Sequence, residues 1–145
     1  VLVIAIGGGG LAAGVAAAAR ARRPEVRIYG VEPVGAPTLL ESLRANKVVE
    51  LPTVTTAAGT LAPRKSSELN FRMVRDLLDR IVLVSDEEMR QAARWLWLEM
   101  GIAAELSGAA AVAAIQMQRT PIHAGEKACA LVCGAGTDGL RFTGV

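Results

Sequence analysis

Residues 1–23, VLVIAIGGGGLAAGVAAAARARR, decide the fold of this chain. The first six residues form an unbroken aliphatic run, which is typical of a strand buried on both faces of a sheet. From Gly10 onward the apolar residues recur at helical spacing, with Leu11 and Val15 four positions apart. Two arginines close the helix, where cations suit its dipole, and Pro24 ends it. This stretch therefore predicts a strand, a glycine turn and a helix.

A second strand, VRIYGVE at residues 26–32, completes a βαβ unit, and its two strands are expected to run parallel. Helices and strands continue to alternate along the chain, with an ordered loop at residues 46–66. The spacing predicts helices over residues 37–45, 67–79, 85–100 and 107–118, and strands over 81–84 and 128–132. This alternation predicts a single α/β domain over residues 1–145: a three-layer sandwich of a mostly parallel sheet with helices on both faces.

The helix after residue 84 has clear local signals. Ser85 and Glu88 form an S-x-x-E capping box, and Gly101 ends the helix. Trp95 and Trp97 flank its inward face and are interpreted as packing residues, facing a missing part of the protein or a second subunit. The predicted inward face consists of Met89, Ala92, Ala93, Leu96 and Met100.

Composition excludes several classes of function. The chain has 145 residues with 16 Lys+Arg against 14 Asp+Glu, so it lacks the unbalanced positive charge of a protein that binds nucleic acid or anionic membrane. The hydrophobic fraction of 52% excludes disorder. Cys129 and Cys133 cannot build a disulfide framework, which indicates a reducing compartment such as the cytoplasm. We expect Cys129 to lie in the core.

The glycine turn predicts a ligand. Four consecutive glycines let the backbone approach a ligand closely, and the helix that follows offers unpaired N–H groups for a phosphate. Gly8, Gly10 and Ala13 also satisfy the G-x-G-x-x-G/A dinucleotide pattern, with Glu32 in place of the ribose-binding acid. From this motif alone, either a phosphorylated cofactor or a nicotinamide or flavin dinucleotide is possible.

Five segments in order resemble one family, the serine/threonine dehydratases. These are fold-type-II pyridoxal-phosphate enzymes, related in fold to the tryptophan synthase β subunit. The segments are IGGGGLAAG (residues 6–14), GVEP (30–33), VSDEE (84–88), AELSGAA (104–110) and LVCGAG (131–136). The resemblance covers essentially the whole chain and corresponds to the carboxyl-terminal half of the family's catalytic region.

The resemblance implies a cofactor, pyridoxal 5'-phosphate, and a set of residues that hold it. Backbone N–H groups of the glycine turn would bind the phosphate, and Cys133 would take the place beside the pyridine nitrogen. Glu105 matches a glutamate near the cofactor ring, although it could equally be a helix-entry acid, with Ser107 as the N-cap. The residues implied for the phosphate are Gly7, Gly8, Gly9, Gly10 and Leu11.

The chain departs from the family pattern at a divalent-metal site that some members have. The positions of that site are Glu32, Ala36 and Thr38 here. A single carboxylate is a poor ligand set for a hard cation, so no metal is predicted, and Glu32 is interpreted as a strand-end or interface residue.

The Schiff-base lysine of the family is expected to lie outside this chain. Lys47, Lys65 and Lys127 are not in the family's Ser-x-Lys setting and are interpreted as surface cations. The chain also begins inside a predicted strand, so we expect an amino-terminal half to be absent. No catalytic residue is therefore assigned, and the chain alone is expected to form no Schiff base.

The function implied is a pyridoxal-phosphate-dependent β-eliminating ammonia-lyase that converts L-threonine or L-serine to a 2-oxo acid and ammonia. The full enzyme is expected to form a homodimer. Two alternatives stay open: a dinucleotide-binding domain, and a non-catalytic regulatory or assembly module with a vestigial cofactor pocket.

Overall fold

The computed structural model describes residues 1–140, so the last five residues of the predicted domain lie outside the described part. None of the helices in this part is long and apolar enough to cross a membrane. The strands are β1 (Leu2–Ala5), β2 (Ile28–Pro33), β3 (Arg80–Val84) and β4 (Cys129–Ala130). The helices are α1 (Gly10–Arg22), α2 (Thr38–Arg44), α3 (Glu68–Leu77), α4 (Asp86–Met100) and α5 (Leu106–Gln116), with 3₁₀ turns at Gly59–Leu61 and Asp138–Leu140.

The described strands form one parallel sheet in the order β3-β2-β1-β4. β1 pairs with β2 through Leu2 opposite Ile28, and with β4 through Leu2 opposite Cys129. Because β1 is an inner strand, the glycine turn that follows it lies in the middle of the carboxyl edge of the sheet. Ligands of α/β proteins bind at this edge.

Alternate side chains of β1 enter two different cores. Val3 and Ala5 pack on one face with residues of α4 and α5, whereas Ile4 and Ile6 pack on the other face with residues of α1 and α3. Both faces of the sheet are therefore covered by helices, which confirms the predicted three-layer α/β arrangement and explains why β1 is aliphatic throughout.

The last strand is shorter than predicted. β4 contains two residues rather than the five of the predicted strand 128–132, and it lies at the edge of the described sheet. Cys129 is exposed. The prediction that Cys129 lies in the core is therefore wrong, because an edge strand of this length has no layer covering that side chain.

The cap of α4 agrees with its sequence signals. The Ser85 side chain accepts from the Glu88 N–H while the Glu88 carboxylate accepts from the Ser85 N–H, and Gly101 ends the helix with φ 66°. The inward face ends at Leu96, however, and Met100 is 57% exposed, so its predicted burial is wrong. Trp95, Trp97 and Leu98 of the same helix, and Ile102 after it, are also exposed.

Candidate functional site

A cavity of about 270 Å³ opens at the carboxyl edge of β1. Every residue that the sequence singled out for cofactor binding lines it: Gly7, Gly8, Gly9, Gly10, Leu11, Glu105 and Cys133. These residues come from three separate segments, which the parallel sheet and α5 bring together. Ala5, Ala12, Thr60 and Leu61 complete the lining.

The start of α1 presents a row of unpaired donors to this cavity. The backbone N–H groups of residues 8–12 donate no hydrogen bond to any atom of residues 1–140. Gly9 is the N-cap residue, and no side chain of the described residues caps the helix. Because the amino end of a helix also carries partial positive charge, this corner suits an anion bound through backbone N–H groups.

Two of the four glycines are required by their surroundings. A Cβ at Gly7 would collide with the carbonyl oxygen of Thr60. Gly9 has φ 92°, and a Cβ there would lie 2.8 Å from Leu39 Cδ1. Gly8, in contrast, has open space where a Cβ would stand, and a Cβ at Gly10 would make only an ordinary contact, 3.9 Å from Asn70 Nδ2. The turn is therefore closely packed at Gly7 and Gly9 and leaves open space at Gly8.

Thr60 reaches the cavity through the long loop between α2 and α3. Asp86, at the start of α4, holds that loop by accepting hydrogen bonds from Thr56 Oγ1 and from the Ala57 N–H at 2.5 and 2.6 Å. The loop is thus ordered, as predicted, although its part in the cavity was missed. A single polar residue in a loop has no periodic signal that would point to a site.

The side chain of Glu105 faces the cavity. Glu105 is the N-cap residue of α5, but its side chain makes no capping hydrogen bond, and Oε1 accepts from Thr60 Oγ1 at 3.3 Å. Glu105 thus stands at the helix entry, as one interpretation of this residue expects, and its carboxylate also lines the cavity, as the other expects. A Cβ at Gly134 would collide with this carboxylate, so glycine there makes room for it.

Asp138 caps α5 instead. Its Oδ2 accepts a hydrogen bond from the Leu106 N–H at 3.0 Å. The prediction of Ser107 as the N-cap is wrong, because Ser107 lies within the helix and its buried Oγ has no partner in the described residues. Since Asp138 satisfies the helix start from a distant segment, Glu105 is free to turn toward the cavity.

We expect Asp138→Ala to lower the free energy of unfolding by about 1 kcal/mol, the usual cost of a lost helix cap. Asp138→Asn keeps an acceptor oxygen and is the matched control, with a loss of only a few tenths of a kcal/mol. Urea denaturation of the purified variants measures both values. Equal stability of the alanine variant and the unsubstituted chain would show that the cap contributes nothing.

Cys133 lies at the rim of the same cavity and is exposed. Partial burial of the thiol, and after it the negative charge of Glu105, raises the pKa of Cys133 above its ordinary value. The side chain is therefore a protonated, neutral thiol at neutral pH. Such a group is only a weak hydrogen-bond partner.

The structure places no lysine at the cavity. Lys47, Lys65 and Lys127 are all exposed and line none of it, in agreement with their interpretation as surface cations. His123, the sole histidine, is also exposed and is not among the lining residues.

Glu32 has a role that the sequence did not predict. Its side chain is fully buried, and its two oxygens accept hydrogen bonds from the Leu39 and Leu40 N–H groups at 2.7 and 2.9 Å. The carboxylate thus caps α2 and is neither open to a ribose nor free for a metal ion. Residues 1–140 also contain no group of three or more His, Cys, Asp or Glu side chains that could hold a metal.

This is a parallel α/β protein in which a glycine turn and unpaired helix N–H groups face a cavity at the carboxyl edge of the sheet, an arrangement that suits an anionic ligand. The family model described as pyridoxal-phosphate dependent enzyme matches residues 1–134. The chain belongs to this family, and its fold is that of the fold-type-II members.

Among the proteins similar to this chain are an ammonia-lyase, a deaminase and a racemase. The L-threonine ammonia-lyase of Geobacter sulfurreducens is 38% identical over 133 residues, which cover 92% of this chain and 33% of that protein. The structure of threonine deaminase isoform 2 from Solanum lycopersicum has a TM-score of 0.86 at 32% identity. The matched region covers 96% of this chain and 41% of the deaminase chain. Maize serine racemase has a TM-score of 0.83 at 33% identity, and the matched region covers 94% of this chain and 43% of the racemase chain. The chain thus spans less than half the length of these relatives.

Proposed function

We propose that this chain is the cofactor-phosphate-binding part of a pyridoxal-phosphate-dependent ammonia-lyase that acts on L-threonine or L-serine. The observation that carries the proposal is the convergence of the glycine turn, Glu105 and Cys133 on one cavity. The similarity to a threonine ammonia-lyase and a threonine deaminase supports the reaction class.

The residues present fit the cofactor phosphate. Unpaired N–H groups of residues 8–12 are the donors a phosphate needs, and the positive end of α1 offsets its charge. Gly8 and Gly10 leave the approach open, because neither has a neighbouring atom in the direction of a Cβ that would have to move. Gly7, Gly8, Gly9, Gly10 and Leu11 would hold the phosphate.

Glu105 and Cys133 would contact the rest of the cofactor. When bound, pyridoxal phosphate supplies an electron sink that acidifies the Cα proton of an amino acid, so that a β-hydroxyl can leave. A neutral Cys133 thiol beside the ring nitrogen would leave that nitrogen largely unprotonated. Glu105, held by Thr60, would fix the position of the ring.

Covalent attachment of the cofactor requires a lysine amine, which the lining of this cavity does not contain. No lysine or histidine is among its lining residues in the described part of the chain. We propose that a lysine from outside this chain supplies this amine. In the longer relatives, that lysine would lie in the part that this chain does not match. A non-catalytic regulatory or assembly module, the alternative raised by the sequence, would bind the cofactor but would have no such lysine.

Assembly and location are part of the proposal. A homodimer would cover exposed apolar side chains of α4, among them Trp95 at 42% and Leu98 at 57% exposure. The exposed, unpaired thiols of Cys129 and Cys133 support a reducing compartment such as the cytoplasm.

Calorimetric titration of the purified chain tests the proposal. We expect pyridoxal phosphate to bind, with pyridoxal at least about tenfold weaker, since hydrogen bonds to a charged phosphate contribute roughly 1.5–3 kcal/mol each. Inorganic phosphate should compete with the cofactor. NAD should not bind, because the buried Glu32 cannot reach a ribose. Preferential binding of NAD, or equal affinity for pyridoxal and its phosphate, would contradict the proposal.

A further inference from the structure

Two side chains hold the glycine turn from the side opposite the cavity. Ser66 Oγ and Asn70 Nδ2 both donate to the carbonyl oxygen of Gly8, each at 2.8 Å. Ser66 ends the long loop before α3 and is buried, and Asn70 lies in the first turn of α3. Neither residue lines the cavity.

These two hydrogen bonds determine the direction of a neighbouring N–H group. The Gly8 carbonyl and the Gly9 N–H belong to one peptide unit, and in a planar trans peptide they point in opposite directions. No peptide bond in the described residues is cis. Drawing the carbonyl toward Ser66 and Asn70 therefore turns the Gly9 N–H away from them, toward the open side of the turn.

Without these donors the peptide unit would have little to hold it. Glycines on both sides rotate easily, because neither has a Cβ that restricts φ and ψ. Asn70 also limits the space at Gly9, since a Cβ added there would lie 3.1 Å from Asn70 Cβ. Leu39 and Asn70 thus limit the space around Gly9, whose φ is 92°.

We propose that Ser66 and Asn70 are positioning residues for the phosphate, which orient the Gly8–Gly9 peptide so that its N–H faces the bound anion. This inference rests on the proposed function, because the anion is the cofactor phosphate. Both residues act through the backbone of the turn and contact no ligand themselves.

Ser67 offers a matched control next to these residues. Its hydroxyl accepts a hydrogen bond from the Asn70 N–H at 3.1 Å and so caps α3, whereas the side-chain hydrogen bonds to Gly8 come from Ser66 and Asn70. Removing that hydroxyl weakens the start of the same helix and leaves both donors to the Gly8 carbonyl in place. A merely structural effect on α3 would therefore appear in Ser67→Ala as well.

The test measures binding of pyridoxal phosphate, inorganic phosphate and pyridoxal to the purified chain and its variants. We expect Ser66→Ala and Asn70→Ala each to weaken both phosphate ligands about threefold to tenfold, the equivalent of one ordinary hydrogen bond. The double variant should lose more, whereas pyridoxal affinity should be unchanged. Ser67→Ala should lower thermal stability and keep the affinity. In ¹⁵N–¹H spectra, phosphate should shift the Gly9 amide signal, and the double variant should lose that shift.

The remaining outcomes would each contradict the positioning role, and one of them would also contradict the proposed function. Unchanged phosphate affinity in both single variants, with the unsubstituted chain binding normally, would overturn the positioning role and leave the proposed function intact. Equal weakening of pyridoxal, or the same loss in Ser67→Ala, would show a general structural effect and overturn the inference. Failure of the unsubstituted chain to bind either phosphate ligand would overturn both proposals.

Discussion

Gly9→Ala should lower the free energy of unfolding by about 2–5 kcal/mol and abolish binding of pyridoxal phosphate. A left-handed backbone costs a residue with a Cβ about 1–2 kcal/mol. Gly9 has φ 92°, and the added methyl would lie 2.8 Å from Leu39 Cδ1 in a closely packed region, where overpacking typically costs about 1–3 kcal/mol more. Relief of this strain would move the N–H groups that we propose as phosphate ligands.

Gly14→Ala is the control for this substitution. Gly14 lies one turn further along α1, and a Cβ there meets no atom within 4 Å. Because alanine favours a helix over glycine, this variant should be more stable by about 0.5–1 kcal/mol. Urea denaturation and calorimetric titration of both variants provide the comparison. If Gly9→Ala binds the cofactor as Gly14→Ala does, the turn does not have the conformation described.

Stability of the protein should fall between about pH 4.5 and 7 because of Glu32. Burial, opposed by the hydrogen bonds from Leu39 and Leu40, raises the pKa of Glu32 from its usual 4.5 to about 7. Between these values the folded protein holds a proton that the unfolded chain has released, so the free energy of unfolding decreases as pH rises. The stabilisation is complete below pH 4.5 and is lost through pH 7, with a total of about 3 kcal/mol at roughly 1.36 kcal/mol per pKa unit.

Glu32→Gln isolates this contribution. Glutamine cannot ionise, has nearly the same shape, and keeps one oxygen to accept from the α2 amides. Urea denaturation of both proteins at pH 5 and pH 8 should therefore show a pH dependence about 3 kcal/mol smaller in the variant. Identical pH dependence of the two proteins would mean that folding does not raise the pKa of Glu32.

The segment around Glu32 also differs from the family pattern at the position of a metal site. Some members are expected to use the equivalent glutamate for a divalent cation, but here positions 36 and 38 are alanine and threonine. Thr38 is buried and donates to the Pro63 carbonyl oxygen at 2.6 Å, while Glu32 accepts from Leu39 and Leu40. In this segment Glu32 and Thr38 therefore serve as hydrogen-bond partners of the protein's own backbone.

Most of the elements could be predicted from local patterns. The aliphatic run, the glycines and the helical spacing of residues 1–23 predicted β1 and α1, and the capping box at Ser85 and Glu88 was confirmed. Errors occurred where an element ends at the boundary of the core, as at Met100 and Cys129. Whether such a residue is covered depends on how far the neighbouring layers extend, and this leaves no periodic signal.

The order of strands and helices along the chain, and seven of the residues that line the cavity, follow from short-range patterns and from family motifs, whereas Thr60 and Leu61 do not. Only the folded structure shows how the site is held: Ser66 and Asn70 reach Gly8 across 58 and 62 residues, and Asp138 reaches Leu106 across 32. Hydrogen bonds between such distant segments exist only after the sheet and helices have packed. Local propensity and periodicity describe a residue's neighbours along the chain, so they do not contain this information.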